Sequence, residues 1–94
     1  MKIYCIYILI NKKNGTLYVG VTSNLQQRIW QHKKKLVEGF SKRYSLDKLV
    51  YYEQTENIES ALNREKQLKK WKRKWKLKLI ERENYQWKDL CKNL

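Results

Sequence analysis

Arg28 and His32 lie four residues apart in "TLYVGVTSNLQQRIWQH", a stretch that reads as a strand running into a helix. Residues at i and i+4 are neighbours on a helix surface. Advancing this helix by about 100° per residue puts Leu25, Ile29 and Leu36 on its inward face. His32 then projects near the middle of that stripe and Arg28 along its edge. A later helix has Ile58, Ala61, Leu62 and Leu68 as its apolar stripe, with Glu65 near the centre. A lone carboxylate in such a place is costly to bury without a partner. Taken singly, His32 reads as a hydrogen-bonded core residue and Glu65 as half of an Arg28–Glu65 salt bridge. Taken together they say more, because a small domain has little stability to spare for three buried polar groups.

These residue types suit phosphodiester hydrolysis. The guanidinium fork of Arg28 matches two phosphoryl oxygens. Glu65 can anchor a hydrated Mg²⁺, with water and substrate phosphates completing the octahedron. Tyrosine or histidine can relay a proton to or from an attacking water. Tyr7 and Tyr18 stand on the strands before the first helix. A tyrosine pKa is ordinarily about 10, so a base role needs a nearby cation, and Arg28 is the candidate.

The elements that position these residues follow from pattern. Residues 2–10, "KIYCIYILI", are β-branched and aromatic with almost no polar interruption, which predicts a strand buried on both faces in the middle of a sheet. Asn14-Gly15 is a hairpin signal. Residues 16–22 form the partner strand, with Leu17, Val19 and Val21 on one face and Thr16, Tyr18, Gly20 and Thr22 on the other. A two- or four-residue loop puts Tyr7 and Tyr18 on the same face; a three-residue loop with a bulge separates them. Ser23 or Asn24 is the N-cap of a helix over about Leu25 to Lys35. Residues 37–46, which include Gly39 and Ser41, look irregular. "KLVYYEQ", residues 48–54, is a third strand. A helix follows from Asn57 or Ile58 to Lys70, and the helical pattern from Trp71 to Glu83 either continues or breaks near Lys72 to Lys74. The tail "NYQWKDLCKNL" reads as a short docked segment. The expected fold is α/β of the α+β type: a central three-stranded, mainly antiparallel sheet flanked by helices.

Composition sets the partner class. The 94 residues carry 22 Lys and Arg against 9 Asp and Glu, a formal charge of +13. This length fits one domain spanning residues 1–94. Such an excess favours polyanions, with nucleic acid first and an anionic membrane surface second. Lys66 to Lys78 holds eight cations among Leu68, Trp71, Trp75 and Leu77. Lys66, Lys69, Lys70 and Arg73 are expected to meet a phosphate backbone without reading sequence. The tryptophans are expected to pack on the sheet or the tail rather than on bases. Gly20, without a side chain, leaves room for a phosphate or a neighbouring ring. Cys5 and Cys91 have no metal-site spacing and read as reduced thiols in a cytoplasmic protein. No segment is long enough to span a membrane, and the N-terminus reads as a strand rather than a signal peptide.

These residues and their order resemble the GIY-YIG nucleases, in the small single-domain bacterial branch. The name-giving motifs appear as Cys5-Ile6-Tyr7 and Tyr18-Val19-Gly20, with Cys5 where the family has Gly and Val19 where it has Ile. Arg28 and His32 follow at the family's spacing, and Glu65 in "LNREKQLKKWKRKWK" matches its metal-binding glutamate. Asn84 is the nearest counterpart of an asparagine that many members carry after the acidic helix. The resemblance implies the GIY-YIG fold and Mg²⁺- or Mn²⁺-dependent endonucleolytic cleavage of DNA, structure-directed or weakly sequence-selective, in repair or recombination. It implies that Tyr7 and Tyr18 line one site, so that the hairpin loop is even in length. One of them would act as general base or orient the water. Arg28 would stabilise the pentacovalent phosphate, Glu65 would hold the metal, and His32 would assist proton transfer or position Tyr18. The alternative is a catalytically silent nucleic-acid-binding module on the same fold. A basic amphipathic membrane-surface protein is a third reading, which the sheet core argues against.

Overall fold

Two hydrophobic clusters on opposite faces of one sheet organise the chain. They are seen in a computed structural model that describes residues 2–36, 39 and 43–94, apart from the Asn93 side chain. The elements run β1 (Tyr4–Ile10), β2 (Leu17–Thr22), α1 (Leu25–Lys33), β3 (Lys48–Thr55), α2 (Ile58–Lys70), α3 (Arg73–Asn84) and a final 3-10 turn (Leu90–Asn93). The strand order is β2-β1-β3, antiparallel throughout, with β1 central as its apolar run requires. Of the stretch expected to be irregular, Val37, Glu38, Phe40, Ser41 and Lys42 lie outside the described residues.

The hairpin register pairs Ile10 with Leu17, Leu9 with Tyr18 and Tyr7 with Gly20. Residues 11–16 close the loop, an even number, so Tyr7 and Tyr18 share a face. Asn14 supplies the left-handed turn at φ 59°. Gly15 is required by contact: a Cβ there would lie 2.1 Å from Asn11 Oδ1 and 2.9 Å from the Lys12 carbonyl oxygen. The Asn11 oxygen accepts the Thr16 N–H at 3.0 Å. Arg73 donates to the Asn14 and Gly15 carbonyls at 2.8 and 2.6 Å, tying the hairpin tip to the start of α3.

β3 is not alternating in sequence, and a bulge resolves it. The register shifts between Ile8 and Leu9, leaving an extra residue in β3. Leu49 and Tyr52 therefore join the α1 face, whereas Val50 and Tyr51 join the other. Asn84 donates to the Val50 carbonyl at 3.1 Å and to the Lys88 carbonyl at 2.8 Å, and accepts the Lys88 N–H. Asp89 accepts the Leu49 N–H and pairs with Lys33 at 2.8 Å. The tail thus docks on β3 and covers part of its edge.

Asn24 caps α1 and Asn57 caps α2, each accepting an N–H three residues on. The pattern after Lys70 breaks rather than continues, because Trp71 and Lys72 are both extended. Two expected stripes need correction. Leu36 is 59% exposed, because α1 ends at Lys33 and Lys35 turns left-handed at φ 57°. Ile58 and Leu62 are also exposed. α2 is seated on the sheet through Ala61 and Leu68, which leaves those two on a shoulder beside Tyr4 and Val21.

Candidate active site

Tyr7 sits at the centre of the sheet, 1% exposed, with Gly20 across on β2 and Tyr52 across on β3. A Cβ on residue 20 would lie 2.5 Å from both Cζ and the hydroxyl oxygen of Tyr7. Gly20 therefore lets the ring lie over β2. Of the two occupants expected at Gly20, a phosphate or a neighbouring ring, the Tyr7 ring is the one seen in the space.

Tyr18 is the next residue of β2 on this face, its ring centroid 6.3 Å from that of Tyr7. The last turn of α1 brings in His32, whose ring lies 5.9 Å from Tyr7 and 5.7 Å from Tyr18. His32 is 4% exposed, and its Nε2 is 3.2 Å from the Tyr7 hydroxyl. The inward position expected from helical spacing is the one observed. Leu25 and Ile29 of α1, with Leu9, Leu46 and Leu49, form one cluster with Tyr7, against which Tyr18 packs.

The electrostatics favour uncharged rings. Burial pushes the Tyr7 phenol far above its ordinary range; Tyr18 and Glu65 add to this, and Arg28 opposes it. Arg28 thus acts in the expected direction, but desolvation outweighs it. Burial also lowers the His32 pKa, with the Arg28 cation adding to the effect. Tyr7 and His32 therefore form a neutral hydrogen-bonded pair. Arg28, half-buried one turn before His32, supplies positive charge at the rim.

Glu65 arrives from α2, with its side chain 17% exposed and Oε2 3.6 Å from Lys69 Nζ. Its charge is felt at Tyr7. Among the described residues its ion pair is with Lys69, not Arg28, so the salt-bridge reading fails. No group of three His, Cys, Asp or Glu capable of holding a metal occurs among the described residues. A lone carboxylate fits only a hydrated cation completed by substrate phosphates, as Mg²⁺ commonly is.

Lys66, Lys69 and Lys70 are exposed on α2. Arg73 is partly committed to the hairpin carbonyls. Trp71 packs on the core with Arg64 over its ring at 5.2 Å, and Trp75 meets it edge-on at 6.0 Å but is half-exposed. Asn84 is engaged with the β3 bulge on the opposite face, so it is structural. The Arg64–Glu53 pair at 2.7 Å was not foreseen. Nor was Tyr52 on the tyrosine face, since its side depends on the bulge. Both cysteines are free.

A GIY-YIG catalytic domain model matches residues 3–78. A UPF0213 protein of Clostridium perfringens (strain 13 / Type A) is 38% identical over 86 residues, covering 85% of this chain and 92% of its own. A UPF0213 protein of Autographa californica nuclear polyhedrosis virus is 38% identical over 82 residues, covering 85% and 78%. A solution NMR structure of a UPF0213 protein from Bacillus halodurans has the same fold, with a TM-score of 0.58 over 93% of this chain and 92% of that one at 23% identity. With its paired tyrosine strands, Arg-His helix and acidic helix all inside the matched span, the chain belongs to the GIY-YIG family of nuclease domains.

Proposed function

We propose that the protein is a divalent-metal-dependent endonuclease that hydrolyses phosphodiester bonds in DNA, structure-directed or weakly sequence-selective, in cytoplasmic repair or recombination. One observation carries this reading. Tyr7, Tyr18 and His32 converge on one sheet face, while Arg28 from α1 and Glu65 from α2 both act electrostatically on Tyr7.

In this reading Arg28 binds two oxygens of the scissile phosphate and stabilises the charge of the pentacovalent state. Glu65 would hold Mg²⁺ or Mn²⁺, which supplies Lewis-acid stabilisation of the phosphate when bound. Tyr7 and His32 form the proton relay. As water oxygen bonds to phosphorus, the Tyr7 hydroxyl takes the water proton and passes its own to His32 Nε2. One P–O ester bond breaks as the new one forms, the leaving sugar oxygen takes a proton from solvent, and His32 returns the proton it received to solvent, which resets the relay. Tyr18, less buried than Tyr7, lines the mouth and orients the water. Lys66, Lys69 and Lys70 draw in the backbone.

The test uses supercoiled plasmid and flapped or branched DNA, with Mg²⁺ or EDTA, beside Arg28→Ala and Glu65→Ala. The expected result is metal-dependent nicking that both substitutions abolish without loss of DNA binding. Equal binding with no nicking by any of the three proteins would instead identify a silent nucleic-acid-binding module.

A further inference from the structure

A cleft of about 530 Å³ opens at the tip of the β1–β2 hairpin, apart from the tyrosine face. Its walls are Asn11, Lys12, Asn14 and Thr16 from the loop, and Arg73 and Lys76 from α3. One wall is fixed, because Arg73 bonds the Asn14 and Gly15 carbonyls. Lys76 is half-buried, and its Nζ reaches the Lys69 carbonyl at 3.4 Å. Among the described residues neither Arg73 nor Lys76 is paired with a carboxylate. Burial, and then the Arg73 cation, lowers the Lys76 pKa. Three cations around a polar cleft with no acid among its described lining residues form a place where an anion relieves repulsion.

The cleft is also joined to the active site. Thr16 and Leu17 lead directly into Tyr18. Lys69, whose carbonyl Lys76 touches, is the residue paired with Glu65. A basic path therefore runs from Glu65 over the end of α2 to the hairpin tip.

We propose that this cleft is a phosphate subsite that holds a backbone phosphate of the bound nucleic acid, at least one nucleotide away from the scissile bond. The proposal rests on the nucleic-acid reading above and sorts its cations: Lys12, Arg73 and Lys76 grip a phosphate, whereas Lys66 and Lys70 act through solvent. Arg73 has the second task of holding the tip in place. Inorganic phosphate shares the same chemistry, so the test separates the two sources.

Binding of a flapped duplex is measured by fluorescence anisotropy in EDTA, across a salt series, with the full chain. Lys76→Ala and Lys12→Ala are compared with Lys13→Ala and Lys88→Ala, two exposed lysines that do not line the cleft. Each cleft substitution is expected to weaken binding about 5- to 10-fold and to lower the salt slope by about one, the signature of one lost phosphate contact. Each control is expected to stay within about twofold. Equal losses in all four variants would overturn the subsite. Lys12→Ala, in an exposed loop, keeps the test valid should Lys76→Ala fail to fold.

In a second arm, inorganic phosphate is titrated while amide NMR signals of residues 11–16 are followed. Phosphate shifts that saturating DNA replaces with its own, after which added phosphate moves these signals no further, support the assignment; a cleft that titrates with phosphate unchanged in saturating DNA overturns it. Because no step here needs cleavage, a chain that binds selectively but never nicks would refute the nuclease reading alone. A chain that nicks while both cleft variants bind like wild type would refute the subsite alone.

Discussion

The two faces of the sheet are built to different ends. One face buries Ile6, Ile8, Ile10, Val19, Val50, Ala61, Leu68, Leu79 and Ile80, with two helices laid over it. The other is covered by α1, nine residues long, and places Tyr7 and His32 among its leucines. Apolar burial stabilises by about 25 cal/mol per Å², so the first face, with the larger cluster of buried apolar residues, carries the greater share of the hydrophobic stabilisation. The second gives up part of that gain to hold polar rings where water is excluded. Apart from Glu65, which α2 carries to the site from the first face, the site residues stand on the second, so activity and stability respond largely to different substitutions.

The largest expected effect is on activity alone. Arg28→Ala should reduce nicking by about 10²- to 10³-fold, the usual consequence of removing a group that stabilises transition-state charge. Thermal unfolding should move little, since Arg28 makes no ion pair with Glu65 among the described residues. A matching loss of stability in calorimetry would erase the contrast between the faces.

Leu68→Ala is the converse experiment. Leu68 is fully buried on the α2 face, and truncation should cost about 2–5 kcal/mol in denaturant unfolding. The surviving folded fraction should nick at the normal rate per active molecule. Loss of catalysis in folded protein would show that the two faces are coupled.

Gly20→Ala lies between these cases. The new methyl would sit 2.5 Å from the Tyr7 ring, which must shift or tilt. Overpacking of this kind costs about 1–3 kcal/mol. Because the displaced ring is the one bonded to His32, activity should fall as well, and the Tyr7–His32 coupling should change in NMR. Unaltered activity would mean that the Tyr7 position is not critical.

Much of this division was legible in the sequence. The unbroken apolar run of residues 2–10 marked a central strand, and helical spacing turned His32 inward. The spacing failed where the backbone departs from regularity. Leu36 was placed on a helix that stops at Lys33, and Tyr52 could be assigned a face only once the bulge in β3 was known. Bulges and left-handed turns at non-glycine residues leave a weak trace in a single sequence, because tertiary bonds such as Asn84 to Val50 hold them. Glu65 was readable as an acid near the centre of the inward stripe of α2. Its ion pair with Lys69 is an i,i+4 contact inside α2, readable from spacing alone, which the expected pairing with Arg28 passed over.

The smallest effect expected is the pH dependence that His32 gives to folding. Unfolded, a histidine titrates near its ordinary value of about 6.5. Folded, burial first and then Arg28 lower the His32 pKa below that value. As pH falls below about 6.5, the unfolded chain takes up a proton that the folded chain does not, so stability declines. The decline ends once pH drops below the folded pKa, and above neutrality the contribution is flat. His32→Gln should remove this component from denaturant unfolding measured between about pH 7.5 and 5. Arg28→Ala should narrow the window instead, because removing the cation raises the His32 pKa toward its unfolded value. NMR titration of the single histidine in the two proteins reads this directly. A His32 pKa that does not rise in Arg28→Ala would mean that Arg28 points away from the ring pair, and the case for its acting on a phosphate held there would fall with it.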